Sequence, residues 1–104
     1  MLGKIQSARY GFGGYQDAML GVDFTLGGDG WGVGDFWGVW ADRSDGAKWT
    51  LEDRSAELAR ITDRLRDLLR DAKVQTLDQL AGRPVEVFFN GGKLSNWRIL
   101  KEVL

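Results

Sequence analysis

The sequence predicts an α+β fold in which an antiparallel sheet packs against one long helix. Two observations predict it: the composition changes near Lys48, and the hydrophobic spacing changes at the same place. Twelve of the fifteen glycines precede Lys48, whereas most leucines and arginines follow it. Neither half could bury a core alone, so residues 1–104 are expected to form a single domain. That domain would contain an N-terminal three-strand meander, the helix and a C-terminal hairpin.

The N-terminal half contains three predicted strands. The first covers residues 3–13, where the alternation is weak. The second covers 18–26 and is expected to place on one face Leu20, Val22, Phe24 and Leu26. The turn sequence GGDG at 27–30 separates it from a third strand over 31–41. One face of the third strand is expected to carry Trp31, Val33, Asp35, Trp37 and Val39.

Thr50 is the expected N-cap of the long helix, because TLED at 50–53 matches a capping box between Thr50 and Asp53. Apolar side chains then recur at intervals of three and four, which is typical of an amphipathic helix. They are Leu58, Ile61, Leu65, Leu68 and Ala72. The helix is expected to end at Ala72 or Lys73, and a short helical turn is predicted over 76–82.

The C-terminal segment predicts a hairpin. A strand over 83–89 would direct Val85, Val87 and Phe89 inward, and NGG at 90–92 is a strong turn signal. The returning strand is predicted over 93–104, with Trp97 and Ile99 on its inner face. The hydrophobic spacing extends this face to Val103.

The composition excludes several kinds of chemistry. The chain has no cysteine and no histidine, which excludes disulfides, thiolate zinc sites and Ser-His-Asp triads. A net charge of −1 disfavours nonspecific binding of nucleic acid. The helix arginines alternate with acidic residues, which predicts a mixed-charge solvated surface. No secretory segment or membrane-length apolar run is present, so a cytoplasmic protein without a membrane partner is expected.

The segment GGDGWGVGDFWGVW at 27–40 combines glycine with large aromatic residues. Its G-x-G spacings do not predict a dinucleotide site, because β-type residues follow them where that site requires a helix. The aromatic rings either fill the sheet surface beside glycines or remain exposed. One set of aromatic residues is together larger than a small core can easily bury, so some of its members are expected to be partly exposed. They are Tyr10, Phe12, Tyr15, Trp31, Trp37 and Trp40.

Exposed rings beside glycine-lined backbone suit either a stacked base-like ligand or a protein interface. The candidate ligand-binding residues are Tyr10, Tyr15, Asp17, Trp31, Asp35 and Trp37. No catalytic residue, metal site or cofactor is predicted. One alternative gives Asp23 and Asp35 a metal, because both lie within strand-like segments and are expected to project near the same place.

Two segments of the chain, at residues 13–40 and 83–104, resemble small proteins encoded by tailed bacteriophages and prophages. Their sequences are GGYQDAMLGVDFTLGGDGWGVGDFWGVW and RPVEVFFNGGKLSNWRILKEVL. The likeness covers both ends and most of the chain. It implies expression in the bacterial cytoplasm during infection, as an accessory protein that binds and blocks host factors, including antiviral defences. The resemblance assigns no role to any residue.

Three functions follow as hypotheses. The first is a non-enzymatic accessory protein that counters host defence by sequestering a nucleotide-type ligand. The second is an inhibitor of a host protein, or an oligomeric adaptor, that uses an exposed aromatic surface; a homo-oligomer is compatible with it. The third, a carboxylate-metal enzyme acting through Asp23 and Asp35, is the least favoured because the chain has no histidine.

Overall fold

A computed structural model describes all residues 1–104, as five strands, one long helix and three short 3-10 turns. The elements are β1 (Leu2–Gly13), β2 (Met19–Gly28), β3 (Trp31–Trp40), α1 (Leu51–Ala72), β4 (Pro84–Asn90) and β5 (Lys93–Ile99). The strands form one sheet in the order β3-β2-β1-β4-β5, and all neighbours are antiparallel. The predicted α+β architecture is confirmed.

The central strand β1 has different partners along its two halves. It pairs with β2 from Lys4 to Gly13, but with β4 only from Leu2 to Lys4. The remainder of β1 therefore continues with β2 and β3 alone. We call this three-stranded part, residues 6–13, 19–25 and 34–40, the extension; the whole molecule measures 47 × 31 × 20 Å.

The sheet is strongly curved, so that its two edge strands approach each other. Four strand intervals would separate β3 from β5 by roughly 19 Å in a flat sheet. Instead, the ring centroids of Trp37 in β3 and Trp97 in β5 lie 5.7 Å apart. Helix α1 contacts both edge strands and occupies the concave side.

The core lies between the concave face and α1, and it is rich in aromatic rings. Phe24 is fully buried and meets Trp37 and Trp97 edge-on, with centroids 4.6 and 5.1 Å away. The predicted inner residues Val22, Leu26, Val85, Val87, Trp97 and Ile99 are buried, as are the helix residues Ile61, Leu68 and Ala72. Phe89 was expected inward but is partly exposed, because it follows a register shift near the hairpin turn.

The predicted capping box begins α1. The main-chain N–H of Asp53 donates to Thr50 Oγ1 at 3.1 Å, and the N–H of Thr50 donates to Asp53 Oδ2 at 2.7 Å. The helix ends at Lys73, which adopts a left-handed conformation with φ 58°. A 3-10 turn over Leu77–Leu80 follows, as the sequence indicates.

The last strand is shorter than predicted. β5 ends at Ile99, and residues Lys101–Val103 form a 3-10 turn that leaves Val103 exposed. Leu100 makes one more hydrogen bond, to the carbonyl of Pro84 at 3.0 Å. Because proline has no N–H, Pro84 cannot return a bond, and the pairing stops there.

Candidate functional site

Asp35 is the acceptor for two indoles. Its Oδ2 accepts hydrogen bonds from Nε1 of Trp37 at 2.9 Å and from Nε1 of Trp97 at 2.7 Å. The two rings are stacked, with an angle of 26° between their planes. A carboxylate oxygen is an acceptor only, so it satisfies both indole donors in this half-buried position. Asp35 and Trp37 thus contact each other, but as part of the packing between the sheet edges.

Arg64 of α1 covers this pair from the helix side. Its guanidinium carbon lies 3.9 Å from the centroid of the Trp37 ring, within the range of a cation–π contact. Trp37 is only 8% exposed as a result. A ring this enclosed has no open face on which a ligand could stack.

Trp31 fills space left by glycines. Its ring lies where side chains at Gly3 and Gly28 would project, with ring atoms 2.8 and 2.6 Å from their ideal Cβ positions. It also meets Phe89 of β4 edge-on, at 5.7 Å between centroids. Trp31 is half-buried, and it too serves packing between β3 and the C-terminal hairpin.

Phe36 likewise fills space left by glycines, on the convex face of the sheet. Its ring lies over the positions where side chains at Gly13 and Gly38 would be. The prediction that aromatic rings fill the sheet surface beside glycines is therefore confirmed for Trp31 and Phe36. This explains why residues 27–40 combine the smallest and the largest side chains.

The predicted ligand residues fall into two separate groups. Trp31, Asp35 and Trp37 lie on the concave side, in contact with α1 or the C-terminal hairpin. The others are exposed and lie at the free end of the extension or in the connection that follows it. They are Tyr10, Tyr15 and Asp17.

Four exposed aromatic residues gather at the free end of the extension, and we call them the aromatic end. They are Tyr10, Phe12, Tyr15 and Trp40, with exposed fractions of 59%, 63%, 67% and 38%. Tyr15 and Trp40 meet edge-on at 6.3 Å between centroids. Phe12 and Trp40 were not among the predicted ligand residues. Their signal in the sequence was the excess of aromatic residues over core capacity.

The aromatic end presents rings on both faces of the sheet. Tyr10 and Phe12 are paired with Val22 and Leu20, which places them on the concave face. Trp40 is paired with Met19 and follows the buried Val39, so it lies on the convex face. A partner could therefore contact the end of the sheet from either side.

The connection between β1 and β2 is conformationally strained. Gln16 and Asp17 both have positive φ, at 52° and 54°, and Gly14 before them has φ 68°. Left-handed backbone is unfavourable for a residue with a Cβ, and two in succession are uncommon. The strained connection holds Tyr15 at the tip of the extension, against Trp40.

A small cleft lies beside Trp40, between β3 and the start of α1. Met19, Trp40 and Trp49 line it, and its volume is about 230 Å³. Arg54 also lines it, but its guanidinium donates to the carbonyl of Ala41 at 2.8 Å. Pockets for drug-sized ligands are usually about 300–1,000 Å³, so this cleft is large enough for a base but small for a whole nucleotide.

Asp23 and Asp35 lie on opposite faces of the sheet. Asp23 is paired with Phe36, whereas Asp35 is paired with Phe24, one position along. Successive side chains of a strand point to opposite faces, so the expectation that these carboxylates project near the same place is wrong. No group of three or more acidic side chains in the structure could hold a metal ion.

Ion pairs occupy the solvent side of α1, as the charge pattern indicates. Arg60 pairs with Glu57, and Arg66 pairs with both Asp63 and Asp67. The hydrogen bond from Arg66 lowers the pKa of Asp67 below its ordinary value. Arg70 forms no ion pair with Asp67, because Asp67 Oδ1 accepts from Arg66 instead.

Comparisons with protein-family models, with curated proteins and with solved structures found no match to this chain. No helix of the structure is long and apolar enough to cross a membrane.

Proposed function

We propose that this protein is a non-enzymatic accessory protein that binds a host protein through its aromatic end. The observation that carries the proposal is the grouping of Tyr10, Phe12, Tyr15 and Trp40, all exposed, at the free end of the extension. Tyr and Trp are enriched in protein interfaces, where each buries a large area with few rotatable bonds.

We favour a protein partner over a nucleotide, because some of the candidate aromatic rings are enclosed by packing and the exposed ones lie on both faces of the sheet. Trp37 and Asp35, which a nucleotide platform would require, are engaged with Trp97 and Arg64. The exposed rings instead lie on both faces and at the tip of a sheet. That arrangement suits a projecting element that enters a concave surface of another protein.

The strained connection supports a binding role for Tyr15. Strained backbone tends to occur at functional sites, where it fixes a side chain in advance of binding. Here the positive φ angles of Gln16 and Asp17 adjoin Tyr15, which rests against Trp40. A ring positioned in advance loses less conformational entropy when a partner binds.

The resemblance to phage and prophage proteins supports a host factor as the partner. A single domain of 104 residues without a predicted catalytic set would act by occupying a surface of that factor. We propose inhibition of the factor, such as a component of antiviral defence, as the consequence of binding.

Affinity capture from bacterial lysate tests this function. The bait would be the wild-type chain beside a double variant, Tyr15→Ala with Trp40→Ala, and a control, Phe88→Ala. Phe88 is also exposed but belongs to the C-terminal hairpin. A specific host protein should be captured by the wild type and the control and lost with the double variant. Capture by all three alike would overturn the proposal.

A second candidate function is sequestration of a nucleotide-type ligand, which one observation favours. Trp40 and Trp49 both line the cleft beside α1, and an indole offers a stacking surface for a base. Calorimetry with cyclic nucleotides and ADP-ribose derivatives tests it, with Trp49→Ala as the variant. Absence of binding heat across that panel with folded protein would reject this candidate.

A further inference from the structure

One edge of β1 has no partner over most of its length. Residues 7–13 pair with β2 on one side only, and Gln6 lies at the register shift before them. On the other side, the last main-chain bonds join Ile5 to Arg83 and Gly82, at 3.0 and 2.7 Å. The outward N–H and C=O groups beyond Ile5 therefore have no protein partner. Such groups are a template for pairing with another strand.

This edge also lacks the features that commonly prevent pairing. Residues 6–13 contain no proline, and Arg9 is their only charged residue. The irregularity in the pairing lies at the start of the segment, between Ile5 and Ser7.

We propose that two copies of the chain associate by antiparallel pairing of their β1 edges. The two extensions would then form one continuous six-stranded sheet about a two-fold axis. This inference goes beyond the proposed host contact, and it stands without it, because it rests on the main chain of residues 6–13.

The sequence of the edge is complementary to itself. In a symmetric antiparallel pair of strands, one residue must face its own copy on the axis. An axis at Tyr10 sets Arg9 opposite Gly11, and an axis at Gly11 sets Arg9 opposite Gly13. Either register avoids facing two guanidinium groups. Gly11 has no atom within 4 Å of its ideal Cβ position, so the axis at Tyr10 leaves room for the partner's Arg9.

Pairing would also cover exposed aromatic area. Tyr10 and Phe12 are 59% and 63% exposed on the concave face. An axis at Tyr10 brings the two Tyr10 rings together, and an axis at Gly11 brings Tyr10 against Phe12. A fully buried aromatic side chain covers about 150–250 Å², and these rings still expose about three fifths of their surface. The four rings could therefore contribute roughly 360–600 Å² toward the ~1,200 Å² of a small stable interface, and the paired main chain would add to this. The net charge of −1 per chain opposes this little.

Trp40 remains free in such a dimer, because it lies on β3, two strands away from the open edge of β1. Tyr15 follows β1 by two residues and lies at the end of the paired segment, where it still contacts Trp40. The dimer would present two copies of the Tyr15–Trp40 contact. A partner with two binding sites would then be held by avidity as well as by affinity.

Sedimentation velocity over a concentration series tests the association. The mass should rise from 11.6 kDa toward twice that value. The double variant Tyr10→Lys with Phe12→Lys, which puts charges at the axis, should remain monomeric at every concentration. Phe88→Lys, at an exposed aromatic position in the C-terminal hairpin, should behave as the wild type. A wild type that stays monomeric, or a double variant that still associates, would overturn the proposal.

Cross-linking tests the register, because the chain has no cysteine of its own. Opposed residues of antiparallel strands lie about 4.5–5.5 Å apart at Cα, which suits a disulfide. Tyr10→Cys or Gly11→Cys should give a disulfide-linked dimer under mild oxidation, and the one on the axis should react faster. Phe88→Cys is the control and should react at the rate of random collision. Equal rates for all three variants would contradict pairing at this edge.

Discussion

Nε1 of Trp97 donates a 2.7 Å hydrogen bond to Oδ2 of Asp35, across 62 positions of the chain. Asp35 lies in β3 and Trp97 in β5, the two edges of the sheet. The same oxygen accepts from Trp37, so a single atom joins two stacked indoles and two edge strands. This contact joins the two edges of the curved sheet on the helix side.

Replacing Asp35 should destabilise the fold. Asp35→Ala leaves two enclosed indole donors without an acceptor, and each unsatisfied donor costs about 1–3 kcal/mol when buried. Asp35 is half-buried, so water offsets part of this cost, and we expect a total loss of about 2 kcal/mol in urea unfolding. Asp35→Asn keeps one acceptor oxygen and should lose less.

Asp45→Ala is the control for this measurement, because Asp45 lies exposed in the loop before α1. It should change the free energy of unfolding by less than about 0.5 kcal/mol. If Asp35→Ala were as mild as this control, the indole contacts would not be responsible for holding the edge strands together.

Two glycines of the sheet should respond in opposite ways to alanine. A Cβ at Gly21 would collide with the main chain of Trp37 and Gly38, which cannot move without disturbing β3. Gly34 is open, with its nearest atom 3.7 Å away. Gly21→Ala should therefore cost at least about 1–3 kcal/mol. Gly34→Ala should be neutral or stabilise by up to about 1 kcal/mol, since it restricts the unfolded chain. Thermal unfolding of both variants decides the matter, and equal effects would contradict the close approach at Gly21.

The capping box should contribute measurably to α1. Thr50→Ala removes the Oγ1 that accepts from Asp53, and loss of such a cap costs about 1 kcal/mol. Thr62→Ala, an exposed position within the same helix, is the matched control and should be neutral or slightly stabilising. Urea unfolding should distinguish the two variants. A Thr50→Ala midpoint equal to that of the control would show that the cap does not stabilise α1.

Glu102 should titrate below its ordinary range. Two hydrogen bonds from Arg98, at 2.7 and 3.2 Å, lower the pKa of its carboxyl group. A depressed folded-state pKa contributes stability above the unfolded-state pKa, and this contribution is lost as pH falls through the folded-state value. The titration midpoint of Glu102, followed by NMR, should rise in Arg98→Gln and stay in place in Lys93→Gln. A titration midpoint of Glu102 that is unchanged in Arg98→Gln would contradict the ion pair between Arg98 and Glu102.

The elements could be predicted because their signals are local. Period-two alternation placed Trp31, Asp35 and Trp37 on one face of β3, and the TLED box located the start of α1 within a residue. Glycines beside aromatic rings correctly indicated a filled sheet surface at Trp31 and Phe36.

The contacts between distant segments could not be predicted in the same way. Nothing in the spacing of β3 indicates that its edge meets Trp97, because that contact depends on sheet curvature and on how β4 joins β1. The same long-range contacts enclose Trp37, which the sequence indicated as a ligand-binding residue, between Trp97 and Arg64. The early end of β5 at Ile99 depends on Pro84 in the paired strand, which no pattern within residues 93–104 reveals.

The pairing of β1 with β4 has a consequence for how the protein is made. Leu2 in β1 pairs with Glu86 in β4. More than eighty further residues must therefore be synthesised before β1 can pair with β4. Until then Ile5 and Phe24, both fully buried in the finished molecule, have only the meander and α1 to cover them. Contacts between residues this distant in sequence slow folding and leave apolar surface open meanwhile. We expect the nascent chain to engage chaperones until the C-terminal hairpin leaves the ribosome.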